Sequence, residues 1–170
     1  MAEDIKIEQL ETQPTVEVGS ETRLWKVPKV LADSFTTADA HIGKTGAERA
    51  GMPLARYLEI DWDAMRNKGA FGQLVELLTK KQKMRAGLPV TKPVESGGAV
   101  VAGEIAAGRY VTAIHRGAYH KVGKSYRKIV DWAAANDVTL ADNTIEWYVD
   151  DPGDMPTKDV RTRILIPIRE

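Results

Sequence analysis

The chain carries an internal repeat, and that repeat limits its fold more than any other feature. In VPKVLADSFTTADAHIG, residues 27–43, Leu31, Phe35, Ala38 and Ile42 form a helical stripe. In HKVGKSYRKIVDWAAAND, residues 120–137, Val122, Tyr126, Ile129 and Ala133 recur at the same offsets. Each helix follows an alternating segment, 15–25 and 108–117, and precedes a strand ending in aspartate, ARYLEIDWD to Asp61 and IEWYVDDP to Asp151. Segments 85–94 and 159–168 close the two units. The pattern predicts an α+β fold: a tandem duplication of a β-α-β-β unit, forming a curved antiparallel sheet with two main helices and a ligand cleft at the pseudo-twofold seam. The halves run 14–94 and 100–169 within one domain, 1–170. The linker 95–108 is apolar at Val100, Val101 and Ile105, which predicts a short strand there.

Composition removes several classes of function. Lys plus Arg and Asp plus Glu both total 24, leaving no net field for nucleic acid or an anionic membrane. No segment approaches the roughly 20 apolar residues that cross a bilayer, and the start, MAEDIKIEQLE, is acidic and polar, so a cytoplasmic protein is expected. The 14 or so residues before the first expected strand are too few for a helix-turn-helix, which argues against a one-chain transcription factor. There is no cysteine, and His41, His115 and His120 lack metal-ligand spacing, so neither metal nor cofactor is expected. His115 reads as a hydrogen-bonded strand residue. Ser20, Ser34, Ser96 and Ser125 lack a nucleophile-elbow context.

AGRYVTAIHRGAYHKVGKSYRKIVDWAAAND, then IEWYVDDP, then RTRILIPI, resembles the GyrI-like small-molecule-binding domain. The resemblance is strong over 102–169 and looser over 14–63. That family includes the effector-binding domains of multidrug-responsive regulators such as BmrR and of AraC-type activators. It implies a hydrophobic, aromatic-lined cleft in which a glutamate, matching Glu146, faces a ligand that is often an aromatic cation. Tyr119 matches the family's Gly-Pro-Tyr turn, with Ala118 in place of proline.

Strand alternation puts Glu146, Tyr148 and Asp150 on one face and Ile145, Trp147 and Val149 on the other. A carboxylate beside a cleft floor loses hydration, so its pKa should rise or a cation should neutralise it. The plainer alternative pairs Glu146 with Arg161 or Arg163. Expected ligand contacts are Glu146, Tyr148, Tyr119, Tyr110, Tyr57, Trp62 and Phe35, the aromatic rings stacking on a flat ligand or facing a cation. Trp132 and Trp25 are expected to pack in the core. Glu59 is a candidate second carboxylate, although the repeat aligns Arg56 with Glu146. The segment 64–83, AMRNKGAFGQLVELLTKKQK, is an insertion relative to the family. Its stripe Phe71, Leu74, Val75 and Leu78 predicts an amphipathic helix with Lys80, Lys81 and Lys83 at its C-terminal end, acting as a lid, a homodimer contact or edge cover.

Three readings of function follow. The first is a stand-alone protein that senses or sequesters hydrophobic, aromatic or cationic molecules. The second is a hydrolase opening strained cyclopropanoid rings of DNA-alkylating natural products, with Glu146 as base and Tyr148 or Tyr119 as acid. The third is a gyrase-interacting inhibitor, after the family's namesake.

Overall fold

The computed structural model describes residues 2–170. Eight strands form one sheet: β1 (Ala2–Leu10), β2 (Gln13–Arg23), β3 (Leu54–Tyr57), β4 (Lys81–Pro89), β5 (Val100–Ile105), β6 (Gly108–Arg116), β7 (Thr144–Tyr148) and β8 (Arg161–Pro167). Their order is β1-β6-β8-β7-β3-β4-β2-β5, and every pairing is antiparallel. The two main helices are α1 (Val27–Gly43) and α4 (Val122–Ala135). Both expected stripes face inward. Ala38 and Ile42 of α1 meet Val16, Leu88 and Val100, while Tyr126 and Ile129 of α4 meet Val111, Ala113, Ile164 and Ile166. The linker supplies β5, as its apolar residues predict.

Two short links make the sheet roll. Residues 11–12 join β1 to β2, and residues 106–107 join β5 to β6. Each of these pairs of strands stands six places apart in the sheet order, a separation of about 29 Å in a flat sheet. Two linking residues span only about 11 Å. The margins must therefore converge at this end. Leu10 from one margin and Ile105 from the other duly pack with Leu54, Ile145 and Leu165 from the centre. That is the concave face, and the helices lie on the convex one.

The structure departs from the sequence reading in three places. The acidic N-terminus is strand β1, paired with β6 and bulged between Glu3 and Lys6, so the sheet begins well before residue 14. The insertion is two helices, α2 (Trp62–Asn67), capped by Asp61 accepting from the Ala64 N–H at 2.9 Å, and α3 (Ala70–Thr79). Lys81 and Lys83 belong to β4, where alternation with Gln82 and Met84 sends them outward. Trp25, expected in the core, is 54% exposed with Lys26 Nζ above its ring. Trp132 does pack against the α4 cluster. Helix α2 lies on α4 through Trp62, Met65 and an Arg66–Asp131 ion pair, whereas α3 touches the 3-10 turn Leu24–Lys26 and β2. Val75 and Leu78 are exposed, and the Phe71 and Leu74 side chains lie outside the described residues. None of the described helices is long and apolar enough to cross a membrane.

Candidate functional site

Glu146 stands on the helix-covered face of central strand β7 and is 7% exposed. Its cross-strand partner is Ala55 on β3, with Ala86 of β4 beyond it, so the sheet surface on that side is built of small side chains. Tyrosines close in over it. The Tyr126 hydroxyl, from α4, donates to Glu146 Oε1 at 2.8 Å and lies 3.2 Å from Thr144 Oγ1; the Tyr148 hydroxyl donates to Oε2 at 3.3 Å. Tyr57 packs into the same cluster as Tyr148. Phe35 from α1 and Tyr119 each meet the Tyr148 ring edge-on, at 6.2 and 5.2 Å between centroids. Val27, Val30 and Leu31 complete the α1 side.

No Lys or Arg among the described residues bears on this carboxyl. Burial pushes Glu146 up to about 7, against the two tyrosine hydrogen bonds that lower it. Burial, reinforced by the Glu146 charge, also pushes the Tyr57, Tyr126 and Tyr148 phenols above the usual tyrosine range. The plainer pairing expected for Glu146 does not occur: Arg161 holds Asp150 at 2.8 Å and Arg163 holds Glu8 at 2.6 Å. Beside Tyr148 on β8, the Thr162 hydroxyl is buried with no hydrogen-bond partner among the described residues.

The expected contacts divide in the structure. Glu146, Tyr148, Tyr57, Phe35 and Tyr119 come together. Tyr110 does not join them: it lies on the concave face with Leu54 and Ile145, donating to the Ala106 carbonyl at 2.8 Å. Trp62 packs against the α4 cluster beside Tyr126, its ring centroid 5.8 Å away. Glu59 is exposed, in a left-handed backbone conformation, and bound to Lys83 at 2.8 Å. Arg56 points to the concave face and pairs with Glu17. The sequence reading missed Tyr126 as the nearest partner of Glu146. Its place on the inward stripe of α4 was the available signal.

Tyr119 is the outermost ring of the cluster, 37% exposed, on the 3-10 turn Tyr119–Lys121 that follows Gly117 at φ +115°. His115, fully buried, holds that turn. Its Nδ1 accepts from the Ser125 hydroxyl at 2.7 Å, and its Nε2–H donates to the Ala118 carbonyl at 3.1 Å. Burial holds the His115 pKa below its usual value, favouring the neutral ring that these bonds require. An open depression of about 460 Å³ sits between α2, α4 and residues 138–142, on the far side of Trp62.

Residues 77–169 match the model of the GyrI-like small molecule binding domain family, over more than half of the chain. The chain belongs to this family. Among solved structures, this GyrI-like chain is similar to the C-terminal domain of EcmrR, with a TM-score of 0.76, 14% identity and 98% of each chain covered. In the EcmrR–DNA complex it spans 57% of the length of the EcmrR chain. It is similar also to SAV2435 bound to tetraphenylphosphonium (TM-score 0.58, 13% identity, 98% of this chain and 94% of that one). A third is a hydrolase encoded by lin2189 from Listeria innocua (TM-score 0.60, 9% identity, 97% and 91%). At such identities the likeness establishes the fold. No curated protein matches the sequence.

Proposed function

We propose that this GyrI-like protein binds hydrophobic, aromatic organic cations, with Glu146 as the charge that receives them. The observation that carries this reading is a buried carboxyl served by tyrosine hydroxyls, with no cationic side chain among the described residues to neutralise it. Burying a carboxylate without a counter-charge is costly, and a ligand cation relieves that cost. The surrounding rings offer π-faces to the same charge. Glu146 is closed off in this conformation, so entry displaces the outermost ring, Tyr119, and the adjoining Phe35; the cleft is what their displacement opens.

The element order supports reading the fold as one duplicated domain: β2-α1-β3-β4 and β6-α4-β7-β8 follow the same sequence. In that reading Phe35 matches Tyr126 and Tyr57 matches Tyr148, and Ala55, not Arg56 as the sequence repeat aligned it, stands where the second half has Glu146, since Arg56 turns to the other face. The site then holds one carboxyl at its seam. Titration with rhodamine 6G tests the proposal: Glu146→Gln should bind at least about tenfold more weakly than wild type. Equal affinities, or no binding by either, would remove it.

One observation favours a second reading, hydrolysis of a strained ring: a carboxyl held near 7 beside phenol hydroxyls is suited to general acid–base chemistry at neutral pH. Water would attack a cyclopropane carbon while Glu146 takes its proton. The ring bond's electron pair would pass to a conjugated carbonyl oxygen, which Tyr148 or Tyr119 protonates. Turnover of a cyclopropane-bearing alkylator, followed by mass spectrometry for the water adduct, decides it. No adduct above a Glu146→Gln control would sink this reading.

A further inference from the structure

We propose that the depression between α2 and α4 is a second binding site, separate from Glu146, for a small organic cation with a flat apolar body. Its volume, about 460 Å³, falls in the range of small-molecule sites. Trp62, Val130, Val138 and Leu140 give it an apolar floor, and Ala133 and Ala134 leave room along the wall formed by α4. The indole of Trp62 is fixed in place, its N–H donating to the Ala141 carbonyl at 2.6 Å. A fixed ring loses little freedom on binding.

The charges around the rim select the sign of the ligand. Asp61, Asp63 and Asp142 face the depression together with Arg66 and Arg169. Both arginines already have carboxylate partners, Arg66 with Asp131 at 2.9 Å and Arg169 with Asp142 at 3.8 Å. Asp61 spends one oxygen on the cap of α2. Asp63 has no partner among the described residues and stays available to an ammonium group. The Trp62 and Tyr126 rings, tilted 34° to each other with centroids 5.8 Å apart, stand between this site and Glu146, so one small ligand in this conformation touches only one of them.

The test is methyl NMR with 2-naphthylmethylammonium and its neutral counterpart, 2-naphthylmethanol. The cation should shift the methyls of Val130, Val138 and Leu140 in wild type and equally in Glu146→Gln. The alcohol should bind about threefold or more weakly, and Asp63→Asn should lose a similar factor for the cation alone. Ala134→Phe, at an exposed helix position, should abolish these shifts and leave the spectrum otherwise folded. Shifts absent in wild type, or persisting in Ala134→Phe, overturn the site. Equal binding of the alcohol overturns the assignment of a cation. Shifts confined to Val27, Val30 and Leu31 overturn this proposal and leave the one for Glu146 standing; shifts confined to Val130, Val138 and Leu140 support this site, and the rhodamine 6G titration decides the one for Glu146 by itself.

Discussion

Among the described residues two glutamates are buried in the sheet, one on each face, and they are treated in opposite ways. Glu17, on the concave face and 1% exposed, accepts from Thr15 Oγ1 at 2.8 Å and from Arg56 Nη2 at 3.0 Å; Arg56 in turn donates to the Glu104 carbonyl at 2.8 Å. Gly103 of β5 lies against this carboxyl, where an added Cβ would come within 3.3 Å of it and 2.9 Å of Thr15 Oγ1. The glutamate thus ties β2, β3 and β5 together with its charge compensated. Glu146 has tyrosine hydroxyls and no arginine. A compensated buried charge serves the architecture. An uncompensated one is a standing cost, which a molecule retains where a partner arrives from outside.

The contrast is sharpest in stability. Glu17→Gln removes one member of a buried ion pair, leaving Arg56 unmatched, and should cost about 4 kcal/mol in urea denaturation. Glu146→Gln, which removes an unpaired charge, should cost less than about 1 kcal/mol at pH 7.5. Similar losses at the two positions would break the comparison.

Acidity gives the next effect. The Glu146 carboxyl, about 7 in the fold, lies above its unfolded value of 4.5. The unfolded chain thus releases this proton first, and the stability linked to it is complete below pH 4.5 and lost as the pH rises through 7. The loss should reach about 3 kcal/mol relative to Glu146→Gln, read from denaturation midpoints across pH 4 to 8. A flat difference between the two proteins would mean that the carboxyl is hydrated or paired.

Ligand binding reports the same group from the other side. A cation favours the ionised carboxyl, so rhodamine 6G affinity should climb about 30-fold from pH 5.5 to 7.5 and level off above, with Glu146→Gln flat throughout. Tyr126→Phe, which deletes the 2.8 Å bond, should cost about 1 kcal/mol of stability at pH 7.5 and raise the Glu146 pKa further, visible as an upward shift of that binding profile. The smallest effect is expected at the exposed Glu59–Lys83 pair, where Glu59→Gln should change neither dye affinity nor the denaturation midpoint measurably.

The convex face was largely legible because it depends on two periodicities. The stripes of α1 and α4 and the alternation of TIEWY put Phe35, Tyr148 and Glu146 on the side where they are found. Trp62 escaped because Asp61 caps helix α2 where the expected strand segment continued, and Tyr110 for a different reason. Alternation tells which residues share a face of one strand, but which face of β6 turns toward the helices depends on its pairing with β8, a matter of register across the chain. Strand β1 was legible in principle, since Ile5 and Ile7 alternate with Lys6 and Glu8, yet the segment was read only for its acidic, polar character and the first strand was expected after residue 14. The Glu17–Arg56 pair joins residues 39 apart in sequence across the concave face, a contact that only the roll of the sheet creates.

The pairing of β1 has a consequence for how the molecule is made. Ala2–Leu10 finds its ladder only in Gly108–Arg116, so during synthesis the first strand emerges long before its partner exists. Until then it presents an open edge of backbone donors and acceptors, and its acidic and basic side chains at Glu3, Asp4, Lys6 and Glu8 are the kind that discourage pairing with a neighbouring nascent chain.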